Sequence, residues 1–167
     1  EQRSRIAHMD TTKTDFSTKR CVTIGIVDGD GIGPYITAHA TRVLEKLLAD
    51  EIAKGTIVIK RIEGLTIENR KAQGKAIPDD VLAQIKACDV ILKGPTETPH
   101  GGTLESANVT MRRELDLYAN TRPVCIPEKN IDWMFFRENT EGEYVLGSRG
   151  VELSGMAVDF KVTTDLG

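Results

Sequence analysis

Residues 21–34 read CVTIGIVDGDGIGP. The first seven are β-branched or apolar apart from one glycine and one cysteine, which predicts a short buried strand. DGDGIGP is a glycine-rich turn. Beyond it Ile36, Ala40, Val43, Leu44, Leu47 and Leu48 recur at helical spacing, so a strand, a tight turn and an amphipathic helix follow one another. Working outward, residues 56–62 (TIVIKRI) predict a second strand. Pro78-Asp79-Asp80 opens a helix with Val81, Leu82 and Ile85 on one face, and residues 88–92 (CDVIL) predict a third, buried strand. This βαβα alternation predicts an α/β protein with a mostly parallel sheet covered by helices.

Residues 94–103 (GPTETPHGGT) carry two prolines and three glycines and predict a loop at the C-terminal end of the third strand, the edge at which open α/β sheets bind ligands. Helical character resumes over residues 106–115 and is broken over 120–124, where Arg122 precedes Pro123 in a predicted loop. Residues 132–136 (DWMFF) predict a strand, and 143–146 and 156–163 two more joined by a Gly/Ser turn. Residues 1–20 mix charged and small polar side chains and read as a flexible tail, without the apolar centre of a signal peptide. Residues 164–167 leave a strand without a cap, where the chain is expected to continue.

With 167 residues, 40% of them hydrophobic, the chain can bury one core. A net charge of -3 gives no overall attraction to nucleic acid or anionic membranes, so anion binding has to come from a local basic cluster. No apolar run approaches the roughly 20 residues that span a bilayer. Cys21, Cys88 and Cys125 are too far apart for a metal-ligand pattern and read as reduced core thiols of a cytoplasmic protein.

The turn at residues 28–34 sits where a dinucleotide-binding loop would. Pro34, however, occupies the third glycine position of that fingerprint, and Asp28 and Asp30 would repel a pyrophosphate. It reads instead as a tight turn that caps the first helix. Ser106, Asn108 and Arg112 stand in S-x-N-x-x-x-R spacing at a helix start, where free N–H groups and the dipole favour an anion. The same pattern also describes a serine cap with a solvated arginine. Arg122, and Arg137 at the end of an apolar strand, add two guanidinium groups suited to bidentate carboxylate binding, and three arginines suit a substrate with several carboxylates. Tyr144 carries a phenol that can act as a general acid, or it packs within a strand. His8, His39 and His100 receive no role, and no paired carboxylates suggest a divalent-metal site.

Four ordered motifs resemble the β-decarboxylating dehydrogenases, which include isocitrate and 3-isopropylmalate dehydrogenases: GDGIGP at 29–34, ILKGP at 91–95, SANVTMRRELDLYANTRPV at 106–124 and FRENTEGEY at 136–144. The likeness runs from about residue 21 to 167. It implies the isocitrate/isopropylmalate dehydrogenase-like fold: a tail over 1–20, the N-terminal part of a large α/β domain over 21–117, and a small domain with the start of a clasp over 118–167. It also implies substrate binding by Ser106, Asn108, Arg112, Arg122 and Arg137, and proton donation by Tyr144. Thr96 and Thr98 fall beside the nicotinamide, with Glu97 where a threonine is common in the family.

The S-x-N pair points within the family to isocitrate rather than to an alkyl malate. The implied reaction is oxidation of isocitrate by NAD or NADP, then Mg²⁺- or Mn²⁺-assisted loss of carbon dioxide to 2-oxoglutarate. The metal ligands and the catalytic lysine are expected beyond residue 167, so the chain alone should be inactive. The resemblance further implies a homodimer with residues 156–163 at or near the interface, and no nucleic-acid or membrane partner. The alternatives are a relative acting on isopropylmalate, homoisocitrate or tartrate, and a non-catalytic regulatory subunit.

Overall fold

The computed structural model describes residues 14–99, 104–145 and 150–165. β1 (Val22–Val27) is the middle strand of a three-stranded, wholly parallel sheet, between β2 (Ile57–Ile62) and β3 (Val90–Lys93). The register pairs Val27 with both Ile62 and Lys93, so the three strands end together at one edge. The strand-turn-helix unit is present: α1 (Gly33–Leu47) follows β1 through the glycine turn, with Pro34 in its first turn. After α2 (Ala49–Ala53) and β2 come α3 (Ile67–Gln73) and α4 (Asp79–Lys86).

α3 escapes the sequence reading because seven residues carry too little apolar periodicity. Its boundary signals are nevertheless present. Thr66 accepts a hydrogen bond from the Asn69 N–H, and Gly74 closes the helix at φ 61°.

The core joins the sheet to α4, α5 (Ala107–Glu114) and the segments flanking α3: Val27, Ile62, Leu65, Ile77, Val81, Ile85, Ala107 and Met111 form one buried cluster. α1 sets its small-residue face inward. Its buried residues are Gly33, Thr37 and Thr41, while Ile36, Val43 and Leu47 are exposed. Close approach to the β1 turn selects the small face: the Thr37 hydroxyl reaches the Asp28 carboxylate at 2.6 Å, and a Cβ on Gly33 would collide with the Asp28 carbonyl.

Two ribbons follow. β4 (Ala119–Ile126) pairs antiparallel with β5 (Ile131–Glu138), and β6 (Val151–Leu153) with β7 (Met156–Val158). Arg122-Pro123 therefore lies within a strand and not in a loop. Proline is accommodated because β4 belongs to a two-stranded ribbon and has an unpaired side. Residues 143–145 form a turn and not a strand, Leu146 lies outside the described residues, and the second ribbon instead turns at Ser154-Gly155. The three cysteines are free; half-buried Cys88 packs against the core, but Cys21 and Cys125 are exposed and are not core thiols. Among the described residues no helix is long and apolar enough to cross a membrane.

Candidate functional site

The C-terminal edge of the parallel sheet is closed by backbone contacts. Gly94 N–H donates to the Val27 carbonyl and Asp30 N–H to the Pro95 carbonyl, each at 2.7 Å. Gly29, at φ 74°, passes so close to Pro95 that any Cβ would overlap its carbonyl oxygen. Both aspartates of the turn are occupied: Asp28 accepts from Thr37 and Arg61, and Asp30 from the N–H groups of Ile67 and Glu97. The turn thus fastens α1, β2, the start of α3 and the segment after β3 to one another.

Beside it lies a polar cluster on two elements. Lys93, the last residue of β3, donates to the Gly94 carbonyl at 2.5 Å and lies 3.5 Å from the Thr96 hydroxyl, which in turn donates to Asn108 Oδ1 at 3.2 Å. Burial lowers the Lys93 pKa below its ordinary value. Asp30 opposes that fall, while the nearby cations Arg112 and Arg70 add to it. A desolvated cation among other cations is poised to receive an anion. Lys93 was missed in the sequence because one lysine ending an apolar strand has no periodicity to mark it; its place in ILKGP was the available signal.

α5 carries the rest. Ser106 is its cap residue, yet its side chain makes no capping hydrogen bond, so the hydroxyl is not spent on the helix. Adjacent arginines behave oppositely. Arg113 makes a two-pronged ion pair with Glu105 at 2.9–3.0 Å, whereas the half-buried Arg112 side chain has no hydrogen bond or ion pair with any described residue. Thr98 is exposed.

The other predicted residues lie on or beside the β4–β5 ribbon. Arg122 Nε donates to Asn120 Oδ1 at 3.2 Å, and Asn120 stands opposite Arg137 in the register. Two residues along a strand share a face, so Arg122 and Arg137 project from the same side of the ribbon. Arg137 donates to the Tyr144 hydroxyl and covers its ring. Both line a cleft of about 320 Å³ with Glu138, Glu141, Lys161 and Thr163. The structure therefore brings Thr96 to Asn108 near Lys93 and Arg112, and Arg137 to Tyr144; among the described residues no hydrogen bond links the two groups.

Among the described residues no three His, Cys, Asp or Glu side chains are grouped to hold a metal ion.

The family model for isocitrate/isopropylmalate dehydrogenases matches residues 23–165. The chain is 45% identical over 129 residues to an NADP isocitrate dehydrogenase of Caldococcus noboribetus, covering 70% of this chain and 29% of that protein. It is 32% identical over 148 residues to mitochondrial regulatory subunit 3 of an Arabidopsis thaliana NAD isocitrate dehydrogenase, covering 85% and 37%. The crystal structure of isocitrate dehydrogenase from Methylococcus capsulatus superposes with a TM-score of 0.65 at 30% identity, covering 86% of this chain and 43% of that one. The chain thus spans well under half the length of these relatives.

Proposed function

The chain belongs to the isocitrate/isopropylmalate dehydrogenase family, and from that membership we propose that it supplies part of the active site of an isocitrate dehydrogenase. The observation that carries this reading is Arg112. It is half-buried and unpartnered among the described residues, beside Lys93 and Asn108, while its neighbour Arg113 is consumed by Glu105. Lys93 and Arg112 bind carboxylates of isocitrate. Ser106 and Asn108 hydrogen-bond its oxygens, and Arg122 and Arg137 meet it from the ribbon. The hydroxyls of Thr96 and Thr98 suit the carboxamide of a nicotinamide, and NAD or NADP bound there supplies the hydride acceptor. The metal of the family finds no ligand set on the described residues.

Tyr144 delivers the proton that replaces the lost carboxylate. A guanidinium can only donate, so the phenol oxygen is the acceptor in its bond with Arg137, which leaves the O–H direction open toward the substrate. The exposed apolar side chains of the two ribbons favour a homodimer, and three free thiols suit a reducing compartment such as the cytoplasm. The regulatory-subunit reading draws on the Arabidopsis relative. Assay of the complete gene product alone with isocitrate, Mg²⁺ and each cofactor tests the proposal: turnover is expected. Isocitrate binding without turnover would favour the regulatory reading.

A further inference from the structure

Arg70 is fully buried, at 0% exposure. A buried guanidinium is costly unless its donors are satisfied, so its partners show what it is there to hold. Nε donates to the Ala76 carbonyl at 2.7 Å, Nη1 to the Glu97 carbonyl at 2.7 Å and Nη2 to the Glu105 carbonyl at 3.1 Å. Two of these carbonyls flank the site: Glu97 directly follows Thr96, and Glu105 directly precedes Ser106. The Asp30 carboxylate lies 4.0 Å from Nη1 and accepts the Glu97 N–H at 2.8 Å. Glu97 is thus gripped through its carbonyl by the cation and through its N–H by the anion.

We infer that Arg70, with Asp30, is a positioning residue that sets the separation between Thr96 and the Ser106–Asn108 helix start and thereby shapes the anion site between them. The inference rests on reading that cluster as the isocitrate site. The planar fork reaches its three carbonyls from three separate nitrogens, whereas an ammonium carries all its donors on one nitrogen and cannot span the same positions. Ligand sites tolerate small displacements poorly, so a loosened fork acts on affinity without touching the ligand.

Arg70→Lys in the complete gene product tests this, with Val81→Ala, a core truncation that removes none of the clamp's hydrogen bonds, as the control for lost stability. Arg70→Lys is expected to raise the isocitrate Kd of the folded protein by about tenfold or more. It should also speed amide exchange at Glu97, Thr98 and residues 104–108 relative to β1. Val81→Ala is expected to lower Tm and leave both readouts in place. If Arg70→Lys does not fold, Asp30→Asn, which keeps the side-chain shape and removes the charge, is read the same way. Unchanged Kd and unchanged local exchange in the folded variant overturn the clamp. Failure of the unaltered protein to bind isocitrate would overturn the proposed function instead, and exchange in the variant would still decide the clamp.

Discussion

The Arg137 guanidinium lies over the Tyr144 ring, 5.7 Å from its centroid, and one of its nitrogens donates to the Tyr144 hydroxyl. Tyr144→Phe keeps the ring beneath the cation and removes only the hydroxyl. Turnover of the complete gene product is expected to fall by roughly 10²–10⁴-fold, the range for losing a positioned acid, with isocitrate affinity little changed. Steady-state kinetics and a binding titration separate the two. A variant with normal kcat would leave Tyr144 a packing residue.

Arg112 and Arg113 offer an internal comparison. Arg112→Ala removes a cation that has no partner in the described protein, and each charge-assisted bond to a carboxylate is worth about 1.5–3 kcal/mol. The isocitrate Kd should therefore rise about tenfold or more. Arg113→Ala breaks the ion pair with Glu105 and should lower Tm more than it weakens binding. Calorimetric titration of both variants checks the contrast, and equal Kd values for Arg112→Ala and the unaltered protein would remove Arg112 from the site.

Gly94 tests the closed sheet edge. A Cβ there would overlap the Asp28 carbonyl, a backbone atom that cannot swing aside. Gly94→Ala is expected to cost about 2 kcal/mol or more, visible as a lower Tm. An unchanged melting curve would mean that the turn and the strand end can separate freely.

Glu138 gives a pH dependence. Partial burial would raise its pKa from 4.5, but hydrogen bonds from the N–H groups of Thr140 and Glu141 and from the Thr140 hydroxyl outweigh burial and hold it below that value. The folded pKa is depressed, so the stabilisation is present above pH 4.5 and is lost as the pH falls through the folded pKa. Glu138→Gln should be less stable than the unaltered protein at neutral pH, by at most about 1 kcal/mol because the side chain is exposed. The gap should close on acidification. Melting curves across the acid range check it; a constant gap would assign the effect to shape and not charge.

The 167-residue chain by itself is expected to show no isocitrate turnover and to self-associate. Trp133 and Phe136 are 57% and 72% exposed, and Ile36, Val43 and Leu47 lie uncovered along α1. Apolar surface of this extent is normally buried against another chain or segment. Sedimentation combined with an activity assay tests both parts, and an active, stable monomer would contradict them.

Much of the α/β layout was readable from residues 21–92. The strands here are short β-branched runs and the turns are marked by glycine and proline, all signals set within a few residues. The spacing of Ser106, Asn108 and Arg112 was equally local, and the ordered motifs by themselves pointed to the family. Tertiary structure decided the rest. The same turn chemistry could cap a helix or hold a phosphate, and the contacts of Asp28 and Asp30 with Arg61, Ile67 and Glu97 show that it fastens the sheet edge. The apolar stripe of α1 marked the helix, but only the fold shows that close backbone approach sets Gly33, Thr37 and Thr41 against the β1 turn. Two adjacent arginines look alike in sequence; only the position of Glu105 separates the one that is bound from the one that is open. Arg70 carried no sequence signal, since its partners are three backbone carbonyls, and carbonyls are the same at every residue until folding brings particular ones together.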